Sequence, residues 1–185
     1  LGYKPVLFEA DDRLGGMTAS INFSGLEIER YYHFHCLSDI HFINLLEELN
    51  LKDKLKWRKT SMGFFYENKL YKWGSINSVL SFPKLSLFSK LRYIFHTLKC
   101  LIEVDWRKLD RLTASTWLRK WLGKKGFNIL WSKLFIYKFH KYSNDISAAW
   151  IWSRIKRLGL SRKFFRENLG YLEGGSKELI NSLHS

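Results

Sequence analysis

The feature that most constrains this chain lies at its start, where a short apolar run ends in an acid and a glycine pair follows. The run covers residues 5–9, and a loop leads from it through Arg13 to Gly15 and Gly16. A few apolar residues bounded by turn-forming residues predict a buried β-strand. A glycine pair lets the backbone approach a bound group closely, because no Cβ intrudes. We therefore expect a strand followed by a loop that can face a ligand.

The acid at the end of this predicted strand is Glu9. In dinucleotide-binding folds, an acid at the end of the second strand accepts hydrogen bonds from the ribose hydroxyls. An acid there fits a free ribose hydroxyl, as in FAD, rather than a 2′-phosphate. Such a fold also needs an earlier strand, a G-x-G-x-x-G turn and a helix, and the sequence contains no G-x-G-x-x-G. The sequence therefore predicts a fragment that lacks the first half of a dinucleotide site and holds no FAD alone.

The spacing Glu-x-x-x-Arg-x-Gly-Gly over residues 9–16 resembles part of the FAD signature of one superfamily, that of the amine oxidases, protoporphyrinogen oxidases and phytoene desaturases. The resemblance implies FAD as the cofactor, with Arg13 neutralising its pyrophosphate. It also implies that Gly15 and Gly16 offer backbone amides to the phosphates. Amine oxidases often carry a second arginine after the glycine pair, but Met17 stands there in this chain.

A histidine-rich run at residues 33–35, ahead of Asp39, resembles the His-x-Phe-His loop of UDP-galactopyranose mutases in the same superfamily. That loop lies against the flavin ring, so the resemblance implies that His35 approaches the isoalloxazine. The alternative is that these histidines are satisfied in a packed loop. Together with Cys36 and His41 they fit no standard zinc spacing, so no metal site is predicted.

Local patterns predict a series of hairpins and helices along the rest of the chain. Alternating residues predict hairpins over 21–29 and 62–73, the second turning at Glu67 and Asn68. Apolar residues at helical spacing and capping residues predict helices; these cover 39–50, 86–103, 113–122, 126–140 and 144–157. Gly159 is expected to end the last of them. A glycine pair followed by a capping Ser176 predicts one more helix near the end.

The order of these elements is similar to that of the superfamily, in which a substrate domain is inserted after the second strand of the flavin domain. Residues 171–179 resemble the point where the chain re-enters the flavin domain. The resemblance implies an α/β fold, or α+β as a fragment. The implied organisation is a partial Rossmann-type FAD-binding domain at 1–20 and an inserted, mainly helical substrate domain with β-hairpins at 21–169. The chain then returns to the FAD-binding domain at 170–185.

The charge of the chain, +14 in total, is unevenly distributed. Residues 1–50 carry three Lys and Arg against eight Asp and Glu, whereas the remainder carries 28 against nine. This excess predicts an anionic partner, either a membrane surface or a phosphorylated substrate, unless it is only a solvated basic surface. Basic residues flank an apolar helix face, as in membrane-surface helices; they are Lys84, Lys90, Arg92 and Lys99. Nucleic acid is not predicted, because no RNA-recognition or helix-turn-helix signature is present.

Two distant cysteines, Cys36 and Cys100, predict buried inert thiols and a reducing, cytoplasmic compartment. The basic surface adds the prediction that the protein associates with a membrane from that compartment. The resemblance implies an FAD-dependent oxidoreductase that transfers hydride from a small apolar or phosphorylated substrate to the flavin. It assigns no catalytic residue. Two alternatives remain open, a mutase-like non-redox flavoenzyme acting on a nucleotide sugar and a basic aromatic module that binds an anionic membrane.

Overall fold

The chain forms two compact units, one of residues 1–58 with 169–185 and one of residues 59–168. The computed structural model describes residue 2 and residues 4–163 and 166–184. Both units contain helices and strands, a mixture that is consistent with the predicted α/β class. The partial Rossmann domain and the inserted domain remain predictions.

The first unit begins with the predicted hairpin. Strand β1 (Ser20–Phe23) pairs with the antiparallel strand β2 (Leu26–Glu29). The turn places Ser24 at φ 52° and Gly25 at φ 87°. Two successive residues with positive φ match the twist of the flanking strands, which explains the Ser-Gly turn.

A short strand, β3 (His35–Cys36), a helix, α1 (Ile40–Glu48), and strand β4 (Leu55–Lys59) follow the hairpin. Asp39 precedes α1 as predicted, but its Oδ2 accepts the backbone N–H of Cys36 at 2.8 Å and does not cap the helix. Leucines form the small core of this unit, because each loses almost all contact with water; they are Leu46, Leu51, Leu55 and Leu172.

The second unit opens on the second predicted hairpin, β5 (Met62–Tyr66) and β6 (Lys69–Trp73), with Glu67 and Asn68 at positive φ in its turn. The buried ring of Phe82 receives four aromatic rings edge-on, at centroid distances of 5.0 to 6.1 Å. Aromatic pairs favour this arrangement, so Phe82 anchors the hairpin to the helices that follow.

Six helices make up most of the second unit: α2 (Ile76–Ser81), α3 (Leu87–Ile102), α4 (Trp106–Asp110), α5 (Ala114–Phe127), α6 (Lys133–Phe139) and α7 (Ala148–Leu160). Thr113 caps α5, as the sequence predicts, and Ser86 caps α3 by accepting the N–H of Ser89. Helix α2 was not predicted from the sequence, although Ser75 and Ser78 form a reciprocal capping box at its start.

Two predicted helix ends differ from the structure. The regular helix breaks at Gly123, with φ 73° and ψ 167°, but helical turns resume after it and continue through a π turn at Asn128–Ser132. Helix α7 passes through Gly159, where an added Cβ would lie 2.4 Å from Leu101 Cδ2. That glycine allows close packing between helices and does not end the helix.

The start of α7 also differs from the predicted residue 144: Ser147 is the cap, although Asn144 and Asp145 are good caps as well. Its Oγ accepts the N–H of Ala149 and donates to Asp110 Oδ1 at 2.6 Å. A tertiary partner thus selects among three residues that are all good caps in the sequence.

The chain ends with β7 (Arg162–Lys163), β8 (Arg166–Leu172) and α8 (Ser176–His184). One sheet has the strand order β3-β8-β4, with β7 also paired to β8. In the segment of residues 161–168, Ser161 and Glu167 are buried. Phe164 and Phe165 of that segment lie outside the described residues.

The predicted strand at residues 5–9 is wrong for this structure. No described strand pairs with this segment, and its apolar side chains are exposed, Phe8 to 93%. A single strand in water lacks the ladder hydrogen bonds and the covered face that stabilise a sheet. The apolar pattern alone therefore does not produce a strand here.

Both cysteines are buried and neither forms a disulfide, which confirms their prediction as buried thiols. Burial and the nearby Glu103 raise the pKa of the Cys100 thiol to about 12. Its neighbour His96 lies with Nε2 3.7 Å from Cys100 Sγ, and burial together with the charge of Lys99 lowers the pKa of His96 to about 4.

Candidate cofactor-binding site

Glu9 closes a tight turn at the start of the loop that leads to the glycine pair. Its Oε1 accepts the backbone N–H of Ala10 at 2.7 Å and that of Asp11 at 2.9 Å. The side chain is exposed, and its other oxygen, Oε2, accepts no hydrogen bond from the described residues. One oxygen thus shapes the loop, while the second is available to accept hydrogen bonds from a ligand.

Arg13 is held in place by the loop that carries it. Its Nη1 donates to the backbone oxygen of Ser20 at 3.0 Å, and its Nε donates to Asp12 Oδ1 at 3.1 Å. Asp11 lies 3.9 Å from the same Nε and 3.7 Å from Arg30. The guanidinium is thus oriented by a backbone carbonyl, and two nearby carboxylates offset part of its charge.

The two glycines of the pair differ in the space around their Cα atoms. Gly15, at φ 109°, has no room for a Cβ, which would lie 2.3 Å from Ile180 Cδ1 on α8. Gly16, at φ 50°, faces open space, because a Cβ there would meet nothing within 4 Å. Gly15 is therefore needed for packing, whereas Gly16 leaves its backbone accessible.

Beyond the glycine pair the chain makes one turn of 3₁₀ helix, Gly16–Thr18. Thr18 donates from both its backbone and its hydroxyl to the Gly15 carbonyl, at 2.8 and 2.7 Å. The N–H groups of Gly16 and Met17 have no acceptor in the part of the chain that the structure describes. Two unpaired amides beside an open glycine fit an anionic oxygen of a cofactor such as FAD.

Glu29 also belongs to this region, although no sequence pattern singled it out. Its Oε1 accepts both the backbone N–H of Ser176, at 2.8 Å, and the hydroxyl of Ser176. Its Oε2 accepts the N–H of His33 at 3.2 Å and lies 3.3 Å from His33 Nδ1. The acid thus joins the end of β2, the loop after it and the first residue of α8.

Burial alone would raise the pKa of Glu29, but the hydrogen bonds from Ser176 and the charge of His33 bring it below its ordinary value. The carboxylate is therefore ionised at the positive end of a helix, where negative charge is stabilising. Ser176 was predicted to cap α8, but it is the first helical residue, and Glu29 bonds its amide. The pairing joins residues 147 positions apart, so no local pattern could have indicated it.

The structure brings Glu9, Arg13 and the glycine pair together in one loop and places His35 on β3. The His35 ring stacks on Phe42 of α1, with centroids 3.9 Å apart and planes 9° apart. Its backbone pairs with Gly170 on β8. In the described residues no group of three or more His, Cys, Asp and Glu side chains could hold a metal ion.

Comparisons with solved structures give the fold. A proposed protoporphyrinogen oxidase from Exiguobacterium sp. 255-15 is 18% identical with a TM-score of 0.54, over 95% of this chain and 43% of that one. Putrescine oxidase, as the wild type bound to putrescine, is 20% identical with a TM-score of 0.60, over 95% and 42%. A triple mutant of it, redesigned in cofactor binding, is 19% identical with the same TM-score and coverage. This chain therefore spans less than half the length of these proteins.

The family comparison covers the whole chain. The model of flavin containing amine oxidoreductases matches residues 1–185. No curated protein sequence matches the chain. The loop with Glu9 and the glycine pair, the likeness in fold and the family match agree, and the chain belongs to the family of flavin-containing amine oxidoreductases.

Proposed function

We propose that the protein is an FAD-dependent oxidoreductase and that the loop from Glu9 to Gly16 holds part of the FAD. The observation that carries this proposal is the open backbone at Gly16, where two amides lack acceptors among the described residues. Membership of a flavin-containing family supports the choice of cofactor. The loop offers a carboxylate oxygen, a guanidinium and backbone donors, which match a ribose and a pyrophosphate.

Each residue of the loop has a distinct proposed role. Glu9 Oε2 accepts hydrogen bonds from ribose hydroxyls, while Oε1 keeps the turn. Arg13 supports the phosphates with the part of its guanidinium that Ser20 and Asp12 leave free. Gly16 donates its amide, and Gly15 holds the loop against α8. His35 is the proposed neighbour of the flavin ring, with Phe42 supporting its other face.

The start of α8 is a less suitable phosphate site than the glycine loop. A helix N-terminus favours an anion because its amides are unpaired and its dipole is positive there. In α8 the carboxylate of Glu29 already accepts the first amide. A phosphate would have to displace a charged group that is largely buried, its side chain being 23% exposed.

We also propose that residues 1–20 and 170–185 belong to an FAD-binding domain and residues 21–169 to a substrate domain. Support comes from the discontinuous first unit, which combines residues 1–58 with 169–185. The unit extends to residue 58 because the leucine core joins α1 and β4 to Leu172. The proposed substrate domain thus has elements in both units.

When bound, the flavin supplies the redox chemistry by accepting a hydride from the substrate. The chain's part is to bind the cofactor, to orient the substrate and to exclude water from the reacting atoms. A small molecule, apolar or phosphorylated, is the proposed substrate. The aromatic residues of the second unit offer apolar walls, and its lysines and arginines offer charge to a phosphate.

The test of the cofactor site compares Glu9 with an exposed acid outside the loop, in the whole protein purified with FAD. Glu9→Ala should lower flavin retention about tenfold or more, because a hydrogen bond to a charged group contributes roughly 1.5–3 kcal/mol. Glu48→Ala is the matched control, since Glu48 is an exposed acid at the end of α1 and outside the loop, and it should leave flavin retention unchanged. Equal flavin absorbance in the Glu9 variant and the wild type would overturn the assignment of Glu9.

A second measurement separates the oxidoreductase from the mutase alternative. Under anaerobic conditions, a substrate of an oxidoreductase bleaches the flavin and is recovered oxidised in equal amount. A nucleotide-sugar isomerisation would leave the substrate's oxidation state unchanged. Stable bleaching with an amine would support the proposal, and turnover of a nucleotide sugar without net oxidation would contradict it.

A further inference from the structure

Helix α3 in the second unit exposes a continuous apolar face. Its exposed apolar side chains have between 51% and 79% of their surface in water; they are Leu87, Phe88, Leu91, Phe95, Leu98 and Ile102. At about 100° of rotation per residue these six positions fall within a single arc of about 100°. We call this surface the α3 apolar face.

The opposite side of α3 is also apolar, but it is buried. His96 and Cys100 are 1% and 2% exposed, and His96 packs against Trp117 with ring centroids 4.5 Å apart. The core therefore needs only that side of the helix. The α3 apolar face does not contribute to the core of this unit, and a contiguous exposed apolar surface of this kind indicates an interaction site.

Cations border the α3 apolar face. The Arg92 guanidinium lies 5.6 Å from the Phe88 ring, and the Lys99 ammonium lies 5.1 Å from the Trp121 ring. Lys90 bonds a backbone carbonyl on the other border. Nearby Lys84 and Lys108 are paired with acids, but residues 84–126 still carry eleven Lys and Arg against three Asp and Glu.

A shallow groove of about 390 Å³ lies between α3 and α5, beside the exposed leucines. Its walls are apolar, and basic residues stand at its edge; the lining residues are Leu91, Arg92, Phe95, Lys120 and Trp121. Arg92 donates to the backbone oxygen of Lys120, so its charge is fixed beside the apolar surface. The apolar wall of the groove suits a lipid acyl chain, and the fixed cation beside it suits the phosphate of the same lipid.

We propose that α3 lies flat in the interface of an anionic bilayer, with the α3 apolar face among the acyl chains and its basic border at the lipid phosphates. An amphipathic helix with this arrangement binds at the boundary between headgroups and chains. A second copy of the protein is a poorer occupant, since it would bring one basic border against another. Among the described residues, no helix could span a bilayer.

The experiment measures binding of the whole protein, purified with FAD, to two kinds of vesicle. One contains phosphatidylcholine alone, and the other contains phosphatidylcholine with phosphatidylglycerol. We expect binding to the acidic vesicles at low salt and its progressive loss as salt screens the border cations. The double variant Leu91→Ser/Phe95→Ser should bind at least tenfold more weakly.

A matched control replaces two apolar residues that are as exposed but lie on another helix. Ile136 and Tyr137 on α6 are 57% and 74% exposed. Ile136→Ser/Tyr137→Ser should bind like the wild type. Flavin content and thermal unfolding are measured for every variant, so loss of the fold or of the cofactor is distinguished from loss of lipid binding.

Insertion is tested with an environment-sensitive fluorophore on Leu98→Cys, since both natural cysteines are buried. A blue shift with acidic vesicles would support the proposal. The absence of wild-type binding at low salt, equal binding to neutral vesicles, or equal loss in both double variants would overturn it. A change from dimer to monomer in Leu91→Ser/Phe95→Ser, without vesicle binding by the wild type, would assign the face to a second copy instead.

Discussion

The carboxylate of Glu29, the last residue of β2, accepts hydrogen bonds from both the amide and the hydroxyl of Ser176, the first residue of α8. The two residues lie in the same compact unit, although 147 positions separate them. The pair fixes where α8 begins and therefore where Ile180 meets Gly15. The proposed cofactor loop thus depends on an acid that need not touch the cofactor.

Replacing Glu29 with glutamine should lower the free energy of unfolding at pH 7 by about 1–2 kcal/mol. The amide of glutamine accepts weaker hydrogen bonds, and it places no negative charge at the positive end of the α8 dipole. Urea denaturation measures the change. The control is Glu27→Gln, which removes only the exposed pair with Lys177 at 3.5 Å and should cost about 0.5 kcal/mol or less. Equal effects of the two variants would contradict the structural role of Glu29.

The free energy of unfolding should fall as the pH drops from about 6.5 to about 4, because the pKa of His96 differs between the folded and the unfolded protein. Burial and Lys99 lower the pKa of His96 from 6.5 to about 4 in the folded protein. The unfolded chain therefore takes up a proton below about pH 6.5, whereas the folded protein stays neutral until about pH 4. Over that range the free energy of unfolding should fall by roughly 3 kcal/mol from this residue alone.

His96→Gln tests this dependence, because glutamine does not titrate and has a similar volume. Denaturation midpoints between pH 7 and pH 4 should vary less in this variant than in the wild type. The control replaces the exposed His41 of α1 in the same way and should keep the wild-type dependence. An unchanged slope in His96→Gln would show that other groups cause it.

The two glycines of the cofactor loop should respond differently to alanine. Gly15→Ala places a Cβ 2.3 Å from Ile180 Cδ1 at a φ of 109°, so it should destabilise the protein and loosen α8. Gly16→Ala meets no atom within 4 Å and should cost about 1 kcal/mol for its φ. Its larger effect should be on flavin retention. Adding Ile180→Ala should recover part of the stability lost in Gly15→Ala but not in Gly16→Ala.

Gly123→Ala should destabilise the second unit by about 1–3 kcal/mol. A backbone with φ 73° and ψ 167° is almost confined to glycine, whatever space the side chain has. Lys124→Ala, at the next position, is the control and should be nearly neutral. Thermal unfolding compares them, and equal midpoints would indicate that the chain relaxes at the kink.

The parts of the fold that the sequence predicted are those that local interactions determine. Both hairpins were predictable because their turn residues and their alternation lie within a few positions of one another, as at Glu67 and Asn68. The break at Gly123 was predicted as a helix end, but packing lets the helix resume. The passage of α7 through Gly159 depends on Leu101, which no local pattern reveals.

The candidate site was predictable to a similar extent. Its loop was identified from the spacing of Glu9, Arg13 and the glycine pair, since all of them lie in one segment. The separate tasks of Gly15 and Gly16 were not, because Ile180 distinguishes them from a distant helix. The apolar pattern of residues 5–9 indicated a strand, but a strand also needs a partner.

The two buried thiols allow local unfolding to be measured separately in each unit by thiol labelling. Cys36 lies in the first unit and Cys100 in the second, and both are at most 2% exposed. A thiol reagent can react only while the surrounding structure is open, so each labelling rate records how often that unit unfolds. Mass spectrometry of the two peptides would then give the opening rates separately. Flavin should slow labelling of Cys36 more than that of Cys100 if the cofactor loop lies in the first unit.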